Sequence, residues 1–227
     1  MRGVRVRATV SDQPADPPFE DAHFRRVDDS NDANFYVEPR LVTHIDDAAI
    51  GALREHYSKF LPPLMSEGGR LLDLMSSWVS HYPDDLESER VAGLGMNAEE
   101  LAENPQLTEW VVHDLNADPV LPYGDGEFDV VTIAVSVQYL TRPLEVFREI
   151  GRVLRPGGGC IVSFSNRCFP TKAVWLWQGM GDDGHVQMVG AYFHYSDAFE
   201  APQWHDISPA KGRSDPMYVV QSRTPAE

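Results

Sequence analysis

The chain has 227 residues, 42% of them hydrophobic and 24% charged, with a net charge of −16 at neutral pH. That length can bury one full α/β core, and the acidic balance argues against nucleic acid or an anionic membrane surface as a partner. Two cysteines, Cys160 and Cys168, make neither a disulfide framework nor a metal site, and no apolar run approaches a bilayer span.

Residues 1–33 are rich in Asp, Pro and Arg without periodicity, which predicts a mobile tail. The first residues lack the apolar stretch of a secretory signal, so the expected setting is the reducing cytoplasm. Residues 34–66 read as a helical lid: Ile45, Ala49, Leu53, Tyr57 and Phe60 recur at helical spacing, Asp46 or Asp47 is placed to cap the helix, and Pro62-Pro63 ends it.

From 67 to 227, strands and helices alternate. Short apolar runs at Arg70–Leu74, a buried strand by its length, and at Val91–Leu94, Trp110–Val112, Phe128–Ala134 and Cys160–Phe164 predict strands. A short helix opens at Ala98, and a longer one over Pro143–Leu154 is closed by Pro156 and three glycines. Trp204–Ile207 and Tyr218–Gln221 lie close enough in sequence to pair as an antiparallel hairpin. The alternation predicts a Rossmann-like, doubly wound, mostly parallel α/β sheet of seven strands with an antiparallel C-terminal hairpin.

The segment LPYGDGEFDVVTIAVSVQYLTRPLEVFREIGRVLRPGGGCIVSFSN, with the strands before it, resembles the class I S-adenosylmethionine-dependent methyltransferases of type 11, over roughly residues 70–166. The aspartate opening the fourth strand, Asp129, and the turn RVLRPGG carry the resemblance. It implies S-adenosylmethionine as cofactor, methyl transfer as reaction and a small molecule as substrate, with the oligomeric state left open. It also implies a cofactor site at the carboxyl ends of the strands: Asp73, Met75, Ser76 and Ser77 after the first; Gly95, Met96 and Asn97 after the second; Asp114 and Leu115 after the third; Ala134, Val135 and Gln138 after the fourth.

The sequence departs from the family at two of these places. The first loop, DLMSSW, has no glycine, and Gly95 stands near the ribose-binding acid, so that Asn97 is left to replace one contact. The same departures support a second expectation, in which the fold is kept, methyl transfer is lost, and the cleft serves another reaction or a binding or regulatory role.

For chemistry, His81 past the first loop is the candidate base, with Tyr36 and Arg40 positioning a ligand, Arg40 through its planar fork. Asn166, Arg167 and Lys172 follow the fifth strand, where Arg167 and Lys172 are placed to draw in an anionic substrate, the alternative being that Lys172 only starts a helix through Trp175 and Trp177. The histidines show no metal-binding spacing, and no metal is expected. Gly179–Gly184 reads as an acidic surface loop, and of the aromatics Trp175, Trp177, Tyr192, Phe193 and Tyr195, which could also form a substrate wall, most read as core.

Overall fold

The computed structural model describes residues 7–8 and 15–226. Its strands are β1 (Arg7–Ala8), β2 (Arg70–Ser76), β3 (Arg90–Gly95), β4 (Glu109–Val112), β5 (Phe128–Ala134), β6 (Leu154–Phe164), β7 (Gln203–Asp206) and β8 (Tyr218–Arg223). They form one sheet in the order β1-β7-β8-β6-β5-β2-β3-β4. Strands β4 through β6 are parallel along that order, whereas β8 runs antiparallel to β6 and β7 antiparallel to β8. These are the seven expected strands and the expected hairpin. The two-residue β1 adds a short antiparallel pairing along β7.

Helices α1 (Asp32–Phe35), α2 (Asp47–Phe60), α3 (Ala98–Ala102), α4 (Pro143–Val153), α5 (Trp175–Gln178) and α6 (Asp182–Tyr195) complete the chain. Side chains alternate across the sheet, so each strand feeds two cores. Leu72 and Leu74, Val131 and Ile133, and Cys160 and Val162 face α4 and α6, meeting Phe147, Ile150, Tyr192 and Phe193. Leu71, Val130, Ile161 and Val219 point the other way, onto Ala49, Leu53 and Tyr57 of α2. Asp46 caps α2 by accepting from the Ala49 amide at 2.8 Å. Helix α6 was not apparent from periodicity, because it is buried on nearly every face and so lacks a polar stripe. It begins at Asp182, inside the stretch expected to be a loop. No helix among the described residues is long and apolar enough to cross a membrane.

The expected mobile tail divides. Residues 1–6 and 9–14 lie outside the described residues, while residues 26–32 are seated on the body by a buried ion cluster. Nη1 of Arg26 reaches both Asp32 oxygens at 2.8 Å. Lys172, expected beside the cleft as a lure for anions, is fully buried instead. Its Nζ lies 3.0 Å from both Asp28 Oδ2 and Asp32 Oδ1 and donates to the carbonyls of Asp28 and Ser30. Burial pushes the Asp32 carboxyl up, but Arg26, Asn116 and Lys172 outweigh it and hold the pKa below the usual range.

Removing one member of such a cluster strands the others in low dielectric. Lys172→Met is expected to lower the unfolding free energy by about 3 kcal/mol, measured by urea titration; a change within the error of that titration would show that the cluster is not holding the segment.

Candidate active site

The order of strands reverses between β2 and β5, and a cleft opens there, outside the carboxyl ends of the strands. It encloses about 1180 Å³, its open mouth included. Strand β2 brings Asp73, Met75, Ser76 and Ser77 to its wall; β3 brings Gly95, Met96 and Asn97; the turn after β4 brings Asp114 and Leu115; and the end of β5 brings Ala134 and Val135. Tyr36 and Arg40 line it from the N-terminal side, and His81 from the loop after β2. Gln138 does not line it. That side chain is fully buried, its amide donating to the carbonyls of Val135 (2.9 Å) and Arg167 (3.4 Å).

The glycine-free loop is accommodated by the neighbouring strand. The register of β2 against β3 shifts between Leu74 and Ser76, making Met75 an extra residue in a bulge, at φ 59°. Ser76 then lies against Gly95 so closely that a Cβ on Gly95 would stand 2.2 Å from the Ser76 carbonyl oxygen. His81 (φ 61°) and Val135 (φ 52°) also take left-handed backbone. Three such residues on one cleft, one of them β-branched, store about 1–3 kcal/mol of strain each.

Serine hydroxyls fasten the loop. Ser76 (2.5 Å) and Ser80 (2.6 Å) both donate to Asp73 Oδ2. Burial raises the Asp73 pKa to about 6 against these bonds, which pull it down. Below it, Thr132 links Asp73 (3.4 Å) to the Tyr82 hydroxyl (2.6 Å).

Asn97 is saturated. Its carbonyl accepts from the amides of Glu99 and Glu100, capping α3, and its NH2 donates to the carbonyls of Tyr36 and Val37. Three residues on, Glu100 lines the cleft and joins its two walls: Oε1 accepts from the Arg40 amide at 2.7 Å, and Oε2 from the Ser77 hydroxyl at 2.5 Å. Sequence reasoning missed Glu100. Its signal was the cap pattern Asn-x-x-Glu, which places a carboxylate in the first turn.

Asp114 Oδ1 accepts from the amides of Asn116 and Ala117 in a tight turn. Neighbouring His113 bonds the Asp118 carbonyl at 2.7 Å and leaves Asp114 alone. Arg167 pairs with Asp215 at 2.8 Å.

Arg40 makes no ion pair among the described residues. Its guanidinium lies over the rings of Phe35 (4.4 Å) and Phe169 (5.5 Å), and Nη2 donates to the Phe35 carbonyl. Nη1 is buried without a partner, as are His81 Nδ1 and Ser136 Oγ, all three on residues that line the cleft. Burial pushes His81 down to about 4, helped by Arg54 and His44, so the ring is neutral near pH 7. Burial raises Tyr36 above the usual tyrosine value, so its hydroxyl keeps its proton. No group of three or more potential ligands among the described residues is placed to hold a metal ion.

Comparison with known proteins bears on this geometry. The family described as "Methyltransferase domain" matches residues 78–162. The fold matches a chain of the complex between the Haloferax volcanii Trm112 methyltransferase activator and a methyltransferase, at TM-score 0.57 and 16% identity, over 79% of this chain and 91% of that one. Residues 78–162 thus match a methyltransferase domain, and the sheet has the class I methyltransferase fold. Curated relatives include ubiquinone/menaquinone biosynthesis C-methyltransferases. That of Roseobacter denitrificans is 41% identical over 68 residues, 30% of this chain and 26% of the relative. That of Paracoccus denitrificans is 30% identical over 143 residues, 63% of this chain and 50% of the relative. The chain therefore covers half or less of the length of these two methyltransferases.

The titrating groups of this methyltransferase-fold protein set a pH dependence of stability. Burial holds His56, stacked on Phe60 at 4.2 Å, and His81 at about 4 in the folded state, against about 6.5 unfolded. Between those values the unfolded chain binds more protons, so stability rises with pH. Asp73, raised to about 6, opposes this over part of the window, while burial shifts His185 and His205 downward, in the same direction as the first pair. The net expectation is a loss on the order of 3 kcal/mol between about pH 7 and about pH 4.5, read as a falling denaturant midpoint. A flat midpoint would mean that these histidines are not held neutral.

Proposed function

We propose that the chain is an S-adenosylmethionine-dependent methyltransferase acting on a small molecule. One observation carries the reading: the cleft combines a single guanidinium, with an unpartnered buried N–H, and three carboxylates, Asp73, Glu100 and Asp114, that pair with no cation among the described residues. Buried polar atoms are normally satisfied, and the unpartnered atoms on Arg40, His81 and Ser136 give the cleft wall spare hydrogen-bonding capacity that a polar ligand would use. A ligand with a carboxylate for the guanidinium and a net positive charge for the acidic surround suits this lining, and S-adenosylmethionine carries one carboxylate, an ammonium and a sulfonium.

The residues present fit that group. Arg40 is the partner for its carboxylate, by a charge-assisted bond. Asp73 and the Ala134–Ser136 backbone bound the methionine end, and Asp114 and Leu115 the adenine end. When bound, the cofactor supplies an electrophilic methyl. The rest falls to the chain: closing the cleft with residues 36–45, excluding water, and orienting the acceptor for in-line attack. His81, neutral and with a free Nδ1, accepts the acceptor's hydrogen bond and its proton.

The relatives named as C-methyltransferases support a small-molecule acceptor. The second reading, a retained fold with lost methyl transfer, draws on Met75 and Trp78, which line the cleft where the family resemblance expects glycine-lined space.

Calorimetric titration with S-adenosylmethionine and S-adenosylhomocysteine separates the two. Micromolar affinity, weakened about tenfold or more in Arg40→Ala, is the expected outcome; no binding at millimolar ligand would remove the methyltransferase reading. Once an acceptor is in hand, His81→Asn should lower kcat by about a hundredfold or more while leaving S-adenosylhomocysteine affinity within about threefold. An unchanged kcat would take His81 out of the chemistry.

A further inference from the structure

We infer that Glu100, on the first turn of α3, receives the ribose diol of the cofactor, in place of a carboxylate at the end of β3. The inference rests on the reading of the cleft as an S-adenosylmethionine site. A ribose presents two vicinal hydroxyl donors, and one carboxylate with both oxygens able to accept is the side chain that meets them together.

Four carboxylates line the cleft: Asp32, Asp73, Glu100 and Asp114. Asp32 is filled by Arg26, Asn116 and Lys172. Asp73 Oδ2 already takes two serine hydroxyls, and its Oδ1 faces Thr132 inside the sheet. Asp114 closes its own turn one strand further out, beyond β3.

The places where such an acid is otherwise expected are shut. Gly95 cannot carry a side chain without colliding with the Ser76 carbonyl, and all four hydrogen-bond positions of Asn97 are spent. Glu100 remains. Each of its oxygens accepts one bond, from the Arg40 amide and the Ser77 hydroxyl, and each keeps a lone pair for a second. Those two bonds hold the carboxylate from both walls of the cleft, so little freedom is lost when a ligand arrives.

The test compares S-adenosylhomocysteine with its 2′-deoxy analogue by calorimetry, in the wild-type protein and in Glu100→Gln. The wild type should prefer the ribo ligand by about tenfold or more. In E100Q that preference should collapse, the ribo ligand weakening while the deoxy ligand holds. A preference that survives in E100Q overturns the assignment, and so does equal weakening of both ligands, the signature of a residue that only fastens Ser77 and Arg40. Should E100Q fail to fold, Glu100→Asp keeps the charge and withdraws the oxygens by one methylene, and the same reduced preference is expected. Micromolar binding without any ribo preference in the wild type leaves the cofactor reading standing and removes Glu100 alone. Binding of neither ligand by the wild type removes both.

Discussion

The contact of the Ser76 carbonyl with Gly95 is the constraint on which the cleft depends. A loop without glycine has to turn sharply at the end of β2, and it does so through a bulge at Met75 in left-handed backbone. The bulge brings the chain down onto β3, where only a residue without a Cβ fits. With no side chain at 95, the polar groups on that wall come from further along, where Asn97 caps α3 and Glu100 turns back to the loop. The two departures seen in the sequence, a missing loop glycine and a missing strand-end acid, are therefore two sides of one steric fact. The clasp of Ser76 and Ser80 on Asp73 fixes the strained loop in place.

The N-terminal side of the cleft depends on a different kind of force. Residues 26–32 bury little apolar surface of their own, and charge holds them: Arg26, Asp28, Asp32 and Lys172 compensate one another out of water. Burying such a cluster adds little net stability, and its value lies in permitting one arrangement only. Asn116 carries that arrangement into the cleft, donating to Asp32 and to the Tyr139 carbonyl while accepting from Thr141. The segment carrying Tyr36 and Arg40 follows directly, so the position of its side chains is set by ions at one end and by Asn97 and Glu100 at the other.

What was legible in the sequence follows the range of the forces involved. Strands β2 to β8 were readable because β-branched and apolar runs favour extended chain, even in β4, whose Trp110 and Val112 are exposed, and α2 and α4 because each keeps one polar face. Helix α6, wrapped in core, has no such contrast. Lys172 was misread because its partners lie about 140 residues earlier in the chain, beyond any local pattern. Glu100 was overlooked for a related reason. A cap pattern predicts where a helix starts, whereas the reach of its carboxylate to Ser77 and Arg40 depends on how the loop and the N-terminal segment come together.

The residues that made the family recognisable do not sit at the cleft. Asp129 and Arg155 meet at the opposite end of the sheet, where Asp129 is fully buried and accepts from Arg155 Nε, the Ser66 hydroxyl and the Arg70 amide. Burial alone would raise that carboxyl, but those donors hold it below the usual range, so it stays charged and keeps β2, β5 and β6 in register at their amino ends. Fold and ligand chemistry are thereby written into different ends of the same strands. The amino ends can keep a shared ion pair while the carboxyl ends change, because a substitution at Gly95 or Glu100 does not touch the contacts that align the sheet. A chain can therefore keep this architecture and still carry a different cleft wall, with no side chain at the end of β3 and a glutamate on α3 turned back to the loop.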